Sequence, residues 1–319
     1  SWRYCIMPNY NGVWSLTTKL QYNTDWEADN VPPLTGDIGL FFGSGNTIQF
    51  IQIETLGNSA DFGDMTTDAE FPGVVASSTR AVRGGDDQAT NVMDFVTINT
   101  KGNATDFGDL IETSYGGLAG CGSSTRGLIG GGNIGSGHTN VIQYVTIASE
   151  GNATDFGNLS AARALLSSFS STTRGIWGGG DPDGASTSNV IDYVTIGSTG
   201  NAADFGDLSS ARNNICGCSS STRGLFFNGF TGSASTNIIE YVTISSTGNT
   251  TDFGDTSGDS RQRAACTNST RGIVAGGQNF SDTIEYVTIS STGNAQDFGD
   301  LVTAGQSFSG GSNSHGGLS

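Results

Sequence analysis

The side chains that could carry out chemistry in this chain recur at regular positions. Six Asp-Phe-Gly triplets each offer a carboxylate, and five Ser/Thr-Thr-Arg turns each offer a guanidinium group. The residues are Asp61, Asp106, Asp155, Asp204, Asp252 and Asp297, and Arg80, Arg126, Arg174, Arg223 and Arg271. Such carboxylates could bind calcium, and a ring of arginines could bind anions. Repetition favours a structural role instead, in which Asp caps a turn and Arg pairs with an Asp of an adjacent turn.

The spacing of the triplets indicates the architecture. Their first residues lie 45, 49, 49, 48 and 45 residues apart. A period of roughly 40 to 50 residues is the signature of a repeat fold. Because the repeats show little helical periodicity, six copies predict a β-propeller.

Each repeat alternates strand and turn signals. Residues 189–196 are rich in β-branched and aromatic residues and precede Ser-Thr-Gly-Asn, which is typical of a turn. Residues 204–208 then form an outer strand, and the small side chains of residues 211–219 suit a crowded inner strand. A Thr-Arg turn leads into a strand that most copies close with two or three glycines. The pattern therefore predicts four antiparallel strands in each repeat.

These four strands resemble the blades of Kelch and galactose-oxidase-type propellers. The shared features are an Arg near the inner strand, a strand that ends in Gly-Gly, a strand that ends in Tyr-Val, and an outer strand in which an aromatic residue is followed by Leu. The resemblance covers residues 37–318 and implies a propeller fold. The outer-strand Trp of those blades is replaced here by Phe in all six copies. The inner-strand Arg is clear only at Arg163 and Arg212, with Arg261 nearby.

The two ends of the repeat region are complementary. Residues 38–45 resemble a Gly-Gly strand that lacks a preceding inner strand, and residues 304–311 resemble an inner strand. We therefore expect an all-β, six-bladed propeller whose last blade joins the C-terminal inner strand to three N-terminal strands. This arrangement leaves no open sheet edge in the ring.

Charge and hydropathy exclude two kinds of partner. The net charge of -17 argues against non-specific nucleic-acid binding, which needs basic patches. No apolar run approaches the roughly 18 residues needed to cross a bilayer, so we expect no membrane insertion. No signal peptide is visible, and Ser1 in place of Met indicates a processed or truncated chain.

Cysteine and histidine do not form a recognisable metal site. Cys121, Cys218 and Cys266 each lie five residues before a repeated Arg, so they occupy equivalent positions and are predicted to be buried free thiols. Cys216 lies two residues before Cys218, and Cys5 stands alone. With only two His residues in the chain, we predict neither a metal nor a cofactor.

Loop variation points to one face of the ring. In a four-stranded blade, the connections between the second and third strands emerge opposite the Thr-Arg turns, and here they differ in length and content. Loops on a rigid scaffold commonly carry recognition. The candidate ligand-binding residues on this face are His138, Asp181, Asp183, Phe230 and Asn279.

Residues 1–36 do not match the repeat and form a separate aromatic-rich segment beside the propeller of residues 37–319. Aromatic side chains bury a large area with few torsions, which favours them in interfaces. The predicted attachment residues are Trp2, Tyr4, Trp14, Tyr22 and Trp26. Residues 12–16 (Gly-Val-Trp-Ser-Leu), together with the Gly-rich blades, resemble structural and appendage proteins of tailed phages and marine viruses.

No set of nucleophile, base and orienting group can be assembled, so we expect no enzyme. The resemblance implies a virion-surface, extracellular protein that contacts other virion subunits through the N-terminal segment and binds a host-surface glycan or protein. One alternative is a purely structural decoration or appendage subunit. Another is a glycan-processing enzyme, which requires two carboxylates about 5 to 10 Å apart in an axial pocket.

Overall fold

A computed structural model describes residues 33–43 and 45–318, and these residues form 24 β-strands. The predicted attachment residues Trp2, Tyr4, Trp14, Tyr22 and Trp26 lie outside the described residues. The described part of the chain contains no helix long and apolar enough to cross a membrane. The compact propeller unit begins at Leu34.

The strands form six antiparallel sheets of four, which are the blades of a propeller, as predicted. The strands are β1 (Ile38–Phe42), β2 (Thr47–Gln52), β3 (Ala60–Asp64), β4 (Gly73–Ala76), β5 (Arg80–Gly84), β6 (Thr90–Thr97), β7 (Thr105–Ser114), β8 (Ala119–Gly122), β9 (Arg126–Gly130), β10 (Val141–Thr146), β11 (Thr154–Asn158), β12 (Ser167–Ser170), β13 (Arg174–Gly178), β14 (Val190–Thr195), β15 (Ala203–Asp207), β16 (Cys216–Ser219), β17 (Arg223–Phe227), β18 (Thr236–Thr243), β19 (Thr251–Ser260), β20 (Ala264–Thr267), β21 (Arg271–Ala275), β22 (Thr283–Thr288), β23 (Gln296–Asp300) and β24 (Ser309–Ser312). Blade A is β24-β1-β2-β3, and blades B to F follow in chain order from β4 to β23.

Blade A closes the ring with strands from both ends of the propeller. The C-terminal strand β24 pairs antiparallel with β1, with Gly39 opposite Ser312 and Phe42 opposite Ser309. The predicted closure is therefore confirmed. It removes the open edge that β1 would otherwise expose.

The core lies between neighbouring blades. Each of the six apolar clusters combines residues of two adjacent blades, such as Phe156 and Leu159 of blade C with Trp177 and Val194 of blade D. In every blade the Phe of the Asp-Phe-Gly triplet is buried and meets an aromatic ring of the third strand edge to face, with ring centroids 5.9–6.2 Å apart. Because each blade buries its surface against the next, the repeats stabilise one another.

The Asp-Phe-Gly triplet forms a β-bulge in every blade. In blade C, Ile142 pairs with Gly157 and Gln143 with Asp155, so Phe156 is the extra residue. A bulge bends and twists its strand. The six Asp side chains of the triplets are exposed on the outermost strands rather than acting as turn caps.

The Gly of the triplet lies against the neighbouring blade. Gly157 has a φ of 147°, and a Cβ there would overlap the carbonyl group of Gly200 in blade D. The next residue in that turn, Asn201, accepts a hydrogen bond through Oδ1 from the backbone N–H of Asn158 at 3.1 Å. The same Asn contact, at 3.0–3.1 Å, joins all six pairs of adjacent blades. The two repeated motifs therefore connect neighbouring blades to one another.

The described cysteines are buried free thiols, as predicted for Cys121, Cys218 and Cys266. These three occupy the third position of the innermost strands β8, β16 and β20. Burial raises the pKa of all four thiols, that of Cys216 to about 12. At neutral pH all four thiols therefore stay protonated and shielded from solvent.

We expect the four buried thiols of a Cys5→Ser variant to resist a thiol-reactive dye at pH 8 in the native state. All four should react rapidly after unfolding in denaturant, because unfolding exposes the thiols to the dye and removes the burial that raises their pKa. Absorbance of the released dye counts the reacting thiols. Fast labelling of any of the four in the native protein would contradict the burial of the innermost strands.

Candidate functional site

The uniform face of the propeller carries the Thr-Arg turns, and its arginines are used to join blades. Arg126 of blade C lies over the ring of Tyr144 in its own blade, 4.6 Å from the centroid. Its Nη1 donates a hydrogen bond to the carbonyl of Ile196 in blade D at 2.9 Å. The same pair of contacts recurs for Arg80, Arg174, Arg223 and Arg271.

The partner of these arginines differs from the prediction. We expected an Asp of an adjacent turn, but the guanidinium groups bind a main-chain carbonyl and an aromatic face. Arg80 alone among the described Thr-Arg arginines also has a carboxylate within 4.0 Å, that of Glu150 at 3.5 Å. Because these groups are already engaged, the arginines act in structure rather than as a ring of free anion-binding groups.

Residues 313–318 cross the axis at the uniform face. His315 Nε2 lies 2.8 Å from the carbonyl oxygen of Ala76 in blade B, and Gly316 N–H donates to Ser219 O of blade E at 2.9 Å. Burial lowers the pKa of His315, so the imidazole is neutral at pH 7. The segment covers this end of the central channel and leaves the opposite end as the candidate site.

A buried polar residue in each third strand holds the seam to the preceding blade. The positions are Gln49, Asp94, Gln143, Asp192, Glu240 and Glu285. Each side chain accepts a hydrogen bond from a backbone N–H of the blade before it, at 2.7–3.1 Å. Four of the six are acids, and each of those four pairs with a buried arginine: Arg83, Arg163, Arg212 and Arg263 respectively.

Sequence reasoning missed these residues and misplaced one arginine. Arg163 and Arg212 were identified, but in blade F the buried partner is Arg263 rather than the nearby Arg261. Two positions of the repeat vary together, and this could have identified the pairs from the sequence. The third-strand position is Gln in blades A and C, which have no such arginine, and an acid wherever an arginine is present.

The irregular face surrounds the open end of the channel with a closed ring of hydrogen bonds. A residue shortly before each innermost strand has a φ between 53° and 76°: Phe71, Gly117, Leu165, Asn214, Gln262 and Ser307. Each donates its backbone N–H to the carbonyl of the corresponding residue in the preceding blade, at 2.9–3.1 Å. Left-handed backbone is strained for residues other than Gly and Asn, by roughly 1–3 kcal/mol each. The ring makes the rim rigid, because each of the six backbone N–H groups donates to a carbonyl of another residue in the ring.

Below this rim, the channel wall combines small residues with larger apolar side chains such as Leu118, Leu166 and Phe308. Its cavity of about 80 Å³ is bounded by all six innermost strands, including Gly120, Ser168, Gly217, Ala265 and Gly310. Among the described residues, no carboxylate lines its wall. The space accommodates several water molecules.

His138 and Asp183 come from loops of neighbouring blades and lie close enough to interact. Hydrogen bonds from the backbone N–H groups of Ala185 and Ser186 and the Ser186 hydroxyl lower the pKa of Asp183, and the charge of His138 contributes a smaller effect in the same direction. Nδ1 of His138 is buried and has no hydrogen-bond partner among the described residues. These two predicted residues therefore lie on the same part of the irregular face.

Asp181 serves its own loop. Its side chain is 7% exposed, and Oδ1 accepts hydrogen bonds from the N–H groups of Asp183 and Gly184 at 3.0 and 2.6 Å. These bonds form a local turn. Asp181 is therefore buried and not exposed as predicted, and these bonds shape the turn that carries Asp183.

Phe230 and Asn279 lie on the other side of the rim, in blades E and F. Phe230 is partly buried, and Asn279 is exposed with a φ of 66°. Sequence reasoning missed two exposed aromatic side chains on this face, Phe280 at 60% and Tyr115 at 43%. Exposed aromatic rings on rigid loops are suitable for stacking against a ligand.

Glu70 and Asp87 are two further carboxylates on this face. Partial burial, followed by the charge of Asp87, raises the pKa of Glu70, which also faces Ser307 of the hydrogen-bonded ring. No group of His, Cys, Asp or Glu within the described residues could hold a metal ion. The chemistry available on this face is therefore hydrogen bonding, aromatic stacking and charge.

No protein-family model matches the chain, and no curated protein matches it.

Proposed function

We propose that the propeller is a non-enzymatic adhesion module whose irregular face binds a host-surface glycan. The observation that carries this proposal is the difference between its two faces. The uniform face uses its arginines to join the blades, while the irregular face presents different loops around a rigid rim. Diversity on a rigid scaffold is typical of recognition surfaces.

The side chains on the irregular face suit carbohydrate. Phe280 and Tyr115 offer exposed rings for the apolar faces of sugars, and Asp183 offers acceptor oxygens for hydroxyl groups. These groups lie on loops around the mouth of the channel, whose cavity is about 80 Å³. A glycan would therefore bind across the surface of the rim.

The setting proposed for this activity is the surface of a virion. Its support is the resemblance of the repeats to Kelch-like appendage propellers, and of residues 12–16 to phage structural proteins. Residues 1–36 would attach the protein to other virion subunits, and the propeller would face the host. In the structural-subunit alternative, the irregular face would instead be buried against a second chain.

The glycan-processing alternative would need two carboxylates about 5 to 10 Å apart in an axial pocket. Among the described residues no carboxylate lines the channel, and Glu70, whose pKa is raised by partial burial and then by the charge of Asp87, is the carboxylate left to test near the rim. A Glu70→Gln variant distinguishes the two proposals. Adhesion would survive the substitution, whereas release of sugar products would cease.

We expect the full chain to bind a subset of a glycan array, and a variant with shortened loops at 86–90, 133–139, 181–188, 230–236 and 278–281 to lose that binding. The control removes an exposed carboxylate from the outermost strand, Asp204→Asn, and should bind as the original does, because Asp204 lies near the start of β15, which begins at the uniform face. Circular dichroism verifies that each variant is folded. Absence of glycan binding by the original protein would reject the adhesion proposal.

A further inference from the structure

Accessible positive charge is scarce on the irregular face. The chain has 13 Lys and Arg against 30 Asp and Glu. In the described part of the molecule, Arg83, Arg163, Arg212 and Arg263 reach this face but are buried and paired with acids. The Thr-Arg arginines and Lys101 lie in turns of the uniform face. Arg261 is therefore the one partly exposed Lys or Arg that the described residues place on the irregular face.

Arg261 is held by stacking instead of by a carboxylate. Its guanidinium carbon lies 4.4 Å from the centroid of the Phe230 ring. No ion pair joins Arg261 to an acid among the described residues, and its Nε is buried without a hydrogen-bond partner there. A guanidinium group that is oriented by an aromatic face keeps its hydrogen-bond donors free for a ligand.

The main chain around Arg261 is also fixed. Its carbonyl accepts a hydrogen bond from Gln278 N–H at 3.0 Å, and the next residue, Gln262, belongs to the hydrogen-bonded ring. Phe230 in turn pairs through its backbone with Asn213. Arg261 therefore lies on one hydrogen-bonded loop at the rim and stacks on the Phe230 ring of another. An incoming anion would not have to order the arginine side chain.

The neighbouring groups complete a polar and aromatic site. The loop that holds Gln278 also carries Asn279 and the exposed ring of Phe280. Gln278 accepts a hydrogen bond from the Ser235 hydroxyl at 2.7 Å, which ties the loops of blades E and F together. Oδ1 of Asn214, in the ring, is buried and has no partner in the described structure.

We infer that Arg261 binds the carboxylate or sulfate group of an acidic glycan, with Phe280 contacting the sugar ring. This inference rests on the proposed glycan-binding function and adds the class of ligand. A planar guanidinium group matches the two oxygens of a carboxylate or sulfate. The net charge of -17 disfavours anions over the surface as a whole, so binding of an acidic glycan depends on this single cation.

The test uses pairs of immobilised glycans that share one backbone and differ only in a carboxylate or sulfate group. The full chain should bind the acidic member of a pair more tightly than the neutral member. Arg261→Gln should weaken acidic-glycan binding by roughly 10- to 100-fold, as expected for one lost charged hydrogen-bond pair. Arg261→Lys keeps the charge but lacks the planar fork, so it should recover only part of the affinity.

Lys101→Gln is the matched control. It removes the same charge from an exposed position over Phe50 on the uniform face, so it should leave glycan binding unchanged. Equal acidic-glycan affinity in Arg261→Gln and the original would overturn the inference while glycan binding itself stands. Preference of the original for neutral glycans would also overturn it. If the original binds no glycan at all, the proposed function fails, and this inference fails with it. Thermal unfolding confirms that the variants retain the fold.

Discussion

Replacing Glu240 with Gln is expected to lower the free energy of unfolding by about 3–5 kcal/mol. The substitution keeps the size of the side chain and an oxygen for the Ser209 N–H bond, but it removes the charge that faces Arg212. Arg212 is fully buried, and Glu240 is the one partner that the described residues give its side chain. An uncompensated buried guanidinium group carries a large desolvation penalty. Urea unfolding followed by intrinsic fluorescence measures the change.

The control for this experiment is a double variant, Arg212→Met with Glu240→Gln. It recreates in blade E the chemistry of blades A and C, where Gln49 and Gln143 hold the seam without an arginine. We expect the double variant to recover to within about 1 kcal/mol of the original, because apolar replacement of a buried pair is often neutral. If the Glu240→Gln variant were as stable as the original, the charge of Glu240 would not be needed to stabilise the buried guanidinium group of Arg212.

Replacing Gly157 with Ala is expected to destabilise the propeller by about 3 kcal/mol or more. The substitution has two separate costs. The φ of 147° is unfavourable for Ala, and the new Cβ would overlap the Gly200 carbonyl of the next blade. Neighbouring blades would have to separate to relieve the overlap, which weakens the Asn201 bond across the same seam. The measurement is the midpoint of thermal unfolding.

Two alanine variants separate these costs. Gly151 has a φ of 153°, but no atom lies within 4 Å of the position that an added Cβ would take, so Gly151→Ala should show the backbone strain alone, about 1–2 kcal/mol. Gly197 has neither a positive φ nor a close neighbour, so Gly197→Ala should be nearly neutral. Equal effects for Gly157→Ala and Gly151→Ala would contradict the interblade overlap.

The propeller, its six blades and its closure could be predicted from the sequence because repetition amplifies weak signals. A single strand such as residues 189–196 is ambiguous, but six copies at a near-constant spacing are not. Closure was predictable because residues 304–311 and 38–45 complement each other. The free thiols followed in the same way, from equivalent positions in innermost strands.

The contacts between blades could not be predicted, because their partners are distant in sequence and partly main chain. Nothing near Arg126 in sequence indicates that it binds the carbonyl of Ile196. The bulge at Phe156 depends on register, which a pattern of alternating residues does not specify. The positions of His138 and Asp183 in second-to-third-strand loops were enough to place them on one face. The local turn that Asp181 forms and the absence of an ion-pair partner for Arg261 among the described residues could be seen only in the structure.

The pairing of β24 with β1 also determines when the molecule can finish folding. Synthesis delivers β1 first, yet its inner neighbour lies about 270 residues later, as the pairing of Gly39 with Ser312 shows. Until the ribosome has released β24, the earliest blade has an unpaired edge that can recruit the strand of another nascent chain. Long-range pairing of this kind also slows folding, because distant segments must meet before their contacts are gained. Synthesis is therefore the stage at which β1 is most exposed to pairing with a strand of another chain.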